Sequence, residues 1–281
     1  MTETYKHFDL HCHSTESDGE LSPSELVERA AEHGVEVLAL TDHDTFSGYA
    51  EASARAEGLG VKVISGIEFS CQWGKQGVHI VGLNFDVTSP VMKTAQHNQL
   101  EVRRARAAQI AHKLVAKGLP DLLEAACQQS PSGIPGRPHF AQVMVAQGLV
   151  KDEHEAFKRY LGRGKAGDIQ ALWPDLETVI AWLVSAGGIA VIAHPCKYDM
   201  SRTKLRELIA EFKSLGGGAM EVVTSGQKQG EQGMLADLCR RFGLLASVGS
   251  DFHSPRFKWA EIGRVDTLPA SVDPVWSAWA L

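Results

Sequence analysis

The chain has 281 residues, 44% hydrophobic and 22% charged, with a formal net charge of −6. That length buries a substantial core, and the negative balance excludes a global attraction to nucleic acid or anionic membrane, so any polyanionic ligand must be held by a local cationic site. No apolar run nears the roughly 20 residues that span a bilayer, no signal peptide opens the chain, and the five cysteines form no CxxC pair, which together predict a cytoplasmic protein with reduced thiols.

The first ninety residues alternate strand-like and helix-like segments. HFDLHCH leads into the polar turn STESDGE, and Ser22-Pro23-Ser24-Glu25 then predicts a helix start with Ser as cap, Pro in the first position and Glu three residues on. Gly34 ends that helix, and VEVLALTDHD follows as a buried strand. A helix near 47–57 precedes two more strands, VKVISGIEFS and GVHIVGLNFD. From about 92 to 165 the signals are helical, and we expect a helical insertion over 92–168 between barrel segments 1–91 and 169–281. Alternation then resumes with DLETVIAWLVSAG, GIAVIAHP, TKLRELIAEFKSLG, AMEVVTS, GMLADLCRRFG and LLASVGSDFH. Alternating units of this kind predict a parallel α/β sheet, open or closed.

Five strand-like runs end in, or closely flank, residues able to bind metal: His11 and His13, His43, Glu68, His194, and Asp251 with His253. Asp18 lies in the first turn. His79 opens its strand instead of closing it, which is explained if that strand runs antiparallel after a turn through Gly74–Gly77. Residues i and i+2 of a strand share a face, so His11 and His13 can grip one ion, and Asp251 and His253 have the same spacing. Strand C-terminal ends of parallel α/β folds gather on one rim, where residues 240 positions apart can meet. One strand-end His is usually structural, but this many buried ionisable groups would be costly without a cation. Imidazole mixed with carboxylate, without Cys, suits manganese, iron or zinc better than calcium. Cys12 alternates with the two histidines and should face the core.

The motifs Asp9-Leu10-His11-Cys12-His13 with Ser17-Asp18-Gly19, Thr41-Asp42-His43-Asp44, Gly66-Ile67-Glu68, Ala193-His194-Pro195 and Gly249-Ser250-Asp251-Phe252-His253 stand in the order found in the polymerase-and-histidinol-phosphatase (PHP) family, which the chain resembles over nearly its full length. The resemblance implies a distorted (β/α)7 barrel. It implies two to three divalent transition metals, manganese foremost: one on His11, His13, Glu68 and Asp251, a second on Glu68, His79 and His194, and a third on Asp18, His43 and His253. Within the family the chain is most similar to 3′,5′-nucleoside bisphosphate phosphatases, some of which are also 5′-3′ exoribonucleases on short RNA. Asp18, where histidinol phosphatases commonly carry His, counts against histidinol phosphate, although that substrate or a sugar phosphate is the alternative. A non-catalytic metal- or nucleic-acid-binding domain is a third reading, opposed by the complete ligand set and decided by a phosphate-release assay. The expected partners are a small phosphorylated nucleotide and short RNA, with no membrane and no stable protein partner.

For such a reaction Asp251 would orient the attacking water or accept its proton. His139 would protonate the leaving group, and Arg137, His139, Asn98, Arg103 and Lys197 would bind substrate, with Arg104 and Arg106 on the same helix as weaker candidates. Trp73 and Phe252 are candidates to stack on a base.

Overall fold

The computed structural model describes residues 7–169 and 172–279. Seven strands lie in sequence order in one sheet: β1 (Phe8–Cys12), β2 (Val37–Leu40), β3 (Lys62–Trp73), β4 (Gln76–Leu83), β5 (Ile189–Ile192), β6 (Ala219–Thr224) and β7 (Leu245–Gly249). The sheet nearly closes into a barrel. Just past β7, the Asp251 N–H donates to His11 O at 2.8 Å, and the His13 N–H donates to Phe252 O at 2.8 Å.

The pairs β1–β2, β2–β3, β5–β6 and β6–β7 are parallel, whereas β4 runs antiparallel to both β3 and β5. The parallel sheet that alternation predicts is thus interrupted at β4, the reversed strand that the position of His79 implies. The cause is local: Gly74, at φ 57°, turns the chain straight back, leaving no length for a crossover helix.

Helices α1 (Pro23–Glu32) and α2 (Tyr49–Ala56) follow β1 and β2. The expected cap is present at α1, where the Ser22 hydroxyl accepts from the Glu25 N–H at 3.2 Å and Glu25 accepts from the Ser22 N–H at 2.8 Å. Between β4 and β5 come α3 (Pro90–Val115), α4 (Leu123–Gln129), α5 (Arg137–Ala146) and the single turn α6 (Glu153–Ala156). Helices α7 (Leu176–Ser185), α8 (Arg202–Ser214) and α9 (Glu231–Phe242) complete the alternation. Met92 and Ala95 of α3 join the barrel core with Ile67, Phe69 and Ile80, whereas its Ile110 and Leu114 join a separate core with Phe140 and Met144. Each such buried Leu, Ile or Phe stabilises the fold by about 1.5–3 kcal/mol, so α3 ties the two cores firmly together. Cys12 faces away from the barrel interior, packed with Leu26, Val27 and Phe252.

Closure of the barrel depends on one glycine. A Cβ at Gly249 would lie 2.2 Å from the Cβ of His11. Gly249→Ala must push β7 off β1, and we expect it to cost about 1–3 kcal/mol in a denaturant melt, the usual penalty of overpacking. No helix of the described residues is long and apolar enough to cross a membrane.

Candidate metal centre

The strand ends converge as the sequence implies. His11 lies within β1 and His13 just beyond it, His43 follows β2, Glu68 lies in β3, His194 follows β5, and Asp251 and His253 follow β7. Because β4 is antiparallel, its first half reaches the same rim, and His79 pairs in register with Ser70 of β3. Asp44, His194 and Asp251 have φ of 59°, 27° and 54°, an unusual left-handed backbone for residues with side chains. Backbone of that kind persists where surrounding structure enforces it, and it concentrates at functional sites.

Glu68 is the hub. Its Oε1 lies 2.9 Å from His79 Nδ1, 2.9 Å from His194 Nε2 and 3.4 Å from His11 Nε2. Its Oε2 lies 2.8 Å from His43 Nδ1 and 3.5 Å from His13 Nε2. Asp251 Oδ1 approaches His11 and His13 at 3.5 and 3.3 Å, and Asp18 Oδ1 approaches His253 and His43 at 3.4 and 3.8 Å. All nine residues fall into four overlapping groups, within each of which the ligand atoms lie within 4.8 Å of one another: His13, Asp18, His43 and His253; His11, Glu68 and His194; His11, His13 and Asp251; and His43, Glu68 and His79.

These residues fit divalent cations. Asp18 Oδ1, Glu68 Oε2, His43 Nδ1 and His194 Nδ1 are buried without a hydrogen-bond partner, an arrangement that is costly unless something positive lies among them. The protonation states are mixed: burial opposes charge on His11, His43 and His253, but Glu221, Glu68 and Asp18 in turn raise them, so a bound cation must displace their protons. Burial, with His253 and His43 beside it, pushes His13 down to about 3, leaving a neutral ring with a free lone pair. Burial alone would raise the carboxyls, but His79 and His11 hold Glu68 well below the usual range, and His43 and His253 do the same for Asp18. Neutral imidazole and ionised carboxylate are the forms that bind metal.

Two positioning residues carry no sequence motif. Glu221, buried in the apolar strand β6, accepts from His11 Nδ1 at 2.5 Å and from the His194 N–H at 2.5 Å. It thereby orients the His11 ring, with Nε2 turned toward Glu68 and Asp251. A lone carboxylate in AMEVVTS is the one signal that would have found it. The Tyr198 hydroxyl accepts from the His79 N–H at 2.8 Å and donates to its carbonyl at 3.2 Å, anchoring β4 at the ligand. Glu221→Gln can satisfy only one of its two donors, so we expect metal affinity to fall roughly 10- to 100-fold in a calorimetric titration.

A cleft of about 490 Å³ opens beside the cluster, with Asp18, His43 and His79 along one wall and Arg103, Arg106, Arg137 and Lys197 among its other lining residues. Arg103 is held by Asp44 at 2.6 Å and by Ser70 at 3.1 Å, and it lies over the Trp173 ring. Burial, with Arg137 and Arg103 nearby, pushes Arg106 down to about 10. Lys197 pairs with Asp251. Asn98 is exposed and outside this lining, whereas Gln99, one position on, is buried and donates to Asp44 at 2.7 Å. Arg104 turns to solvent, paired with Glu101. His139 is buried, and its Nδ1 accepts from the Gly136 N–H at 3.0 Å. Its pKa is lowered by burial, and with Nδ1 accepting, Nε2 is the ring atom left to donate. Phe252 lies in the core, and the Trp73 indole donates to Glu211 outside the cleft lining.

The PHP domain model matches residues 9–163. A 5′-3′ exoribonuclease of Haemophilus influenzae is 46% identical over 271 residues, covering 96% of this chain and 98% of that protein. A 3′,5′-nucleoside bisphosphate phosphatase of Chromobacterium violaceum is 41% identical over 270 residues, covering 95% and 94%. A solved structure of an amidohydrolase from Chromobacterium violaceum, with bound sulfate and no metal, superposes with a TM-score of 0.90 at 40% identity, covering 97% of this chain and 95% of that one.

Proposed function

The chain belongs to the PHP domain family, and from that premise we propose that it is a metal-dependent phosphoesterase releasing the 3′-phosphate of nucleoside 3′,5′-bisphosphates, with 5′-3′ exonuclease action on short oligoribonucleotides. The single observation that carries this reading is the meeting, in one cleft, of the His, Asp and Glu cluster with Arg103, Arg106 and Arg137. One phosphate is cleaved at the cluster and the other is spared at the arginines. Cations bound among these ligands, manganese by the imidazole and carboxylate donor set, would supply a water of lowered pKa and neutralise the phosphoryl oxygens.

The chain's own groups divide the remaining work. Arg106 and Arg137 hold the spared phosphate through charge-assisted hydrogen bonds. Arg103, braced by Asp44 and Ser70, is a fixed wall of positive charge between the two ends of the substrate. Lys197, next to Asp251, stabilises charge on the phosphate being cleaved. His139 donates a hydrogen bond from Nε2, and Asp251 orients the attacking water.

Phosphate release with added manganese tests this across adenosine 3′,5′-bisphosphate, adenosine 3′-monophosphate, AMP and histidinol phosphate. The bisphosphate should lead the 3′-monophosphate roughly 10- to 100-fold in kcat/KM, the worth of a charged phosphate contact. Equal rates on all four, or full activity in chelator, would end the proposal.

A further inference from the structure

The cleft beside the cluster has a neighbour that shares one metal-capable residue with it. A second cleft, of about 380 Å³, is lined by Thr15, Glu20, Gln129, His139, Gln142 and Arg256, and it meets the first at Asp18, which lines both. Helix α5 divides its first residues between them: Arg137 and Pro138 line the first, His139 and Gln142 the second.

The two clefts differ in chemistry. The first gathers Lys75, Arg103, Arg106, Arg137, Arg163 and Lys197. In the second, Glu20 accepts from the Ser254 hydroxyl at 2.6 Å and pairs with Arg256, which also reaches Glu153 at 3.6 Å. That cation is thus already matched, and a further phosphate finds no spare positive charge there. Thr15, Gln129 and Gln142 offer hydroxyl and amide groups instead, which suit sugar hydroxyls and base edges. The volume falls within the range of small-ligand pockets, about 300–1,000 Å³.

We propose that this second cleft is the subsite for the downstream nucleoside of an oligoribonucleotide whose 5′ nucleotide occupies the first. The inference rests on the phosphoesterase reading above and deepens it. In the bisphosphate and in an internucleotide diester alike, water adds to phosphorus, the P–O3′ bond breaks and a proton passes to O3′. The diester differs only in carrying the next nucleoside, through O5′, on an oxygen that the monoester leaves free. An enzyme that cleaves both needs room at that oxygen, beside the cluster and outside the arginine cleft. Beyond Arg256 the chain continues as Phe257-Lys258-Trp259, with Phe257 42% and Trp259 62% exposed, a surface on which later bases can stack.

Gln142→Trp and Gln129→Trp add bulk to the second cleft at two positions that are neither metal ligands nor arginines of the first cleft. With manganese-loaded enzyme, each should lower kcat/KM on 5′-phosphorylated triadenylate by at least roughly 10-fold, the worth of one lost base-stacking or hydrogen-bonded contact. Adenosine 3′,5′-bisphosphate should change less than about 2-fold in the same preparations, which also reports that the fold is intact. Parallel loss on both substrates in both variants, or no loss on the trinucleotide, would overturn the proposal. A wild-type protein that cleaves the bisphosphate but not the trinucleotide would overturn it too, leaving the phosphatase reading standing. Failure on the bisphosphate itself would sink that underlying reading instead.

Discussion

Glu68→Gln should empty the metal centre and lower phosphate release from adenosine 3′,5′-bisphosphate by about 1,000-fold, since the lost charge stabilisation is worth several kcal/mol. The reason is crowding: five imidazoles approach this one buried carboxylate within 3.5 Å. Glutamine keeps the volume and packing but removes the charge and turns an N–H₂ toward rings whose lone pairs must face a cation. Elemental analysis checks the first half and steady-state assay the second. Thermal melting gives a third readout. Wild-type protein should gain stability on adding manganese, as any ligand bound only by the folded state confers, and the variant should gain little. A variant that retains its metal and a tenth of its activity would show that the groups around Glu68 do not share their ions through it.

Much of this centre is legible in the chain because period-two spacing on a strand survives any detail of packing. His11 and His13 therefore declare themselves, and the odd position of His79 signals that its strand is reversed. Asp251 and His253 instead lie beyond β7, where the left-handed backbone of Asp251 breaks the period and sends them to different ligand groups. Glu221 and Tyr198 are illegible for a physical reason: each acts by holding another residue, so its role exists only once β6 and the turn after β5 are in register. Helix α3 shows a different limit. It packs into two cores along its length, which blurs its periodicity, and one residue is worth about 100° of rotation. Asn98 thus faces solvent while Gln99 meets Asp44, and Arg104 pairs with Glu101 while Arg103 and Arg106, one turn apart, line the cleft.

That one turn sets up the second large effect. Arg106 spends an N–H on the Ile169 carbonyl at 3.2 Å and makes no ion pair among the described residues. Burial, with the neighbouring Arg137 and Arg103, outweighs the attraction of Asp168 and Asp44 and depresses its pKa to about 10. A base whose folded pKa lies below its unfolded value disfavours folding at every pH where the unfolded group is protonated, so at neutral pH the empty cleft carries this charge against its own stability. Arg106→Met should leave the melting temperature of the phosphate-free protein unchanged or higher. The same substitution should cut kcat/KM on adenosine 3′,5′-bisphosphate roughly 10- to 100-fold, while adenosine 3′-monophosphate, which has no second phosphate, changes little. Added inorganic phosphate should raise the melting temperature of the wild type more than that of the variant. A cluster of cations built for packing would give the opposite pattern, a variant that melts lower and loses both substrates alike. Equal loss on both with stability intact would place Arg106 at the phosphate that is cleaved.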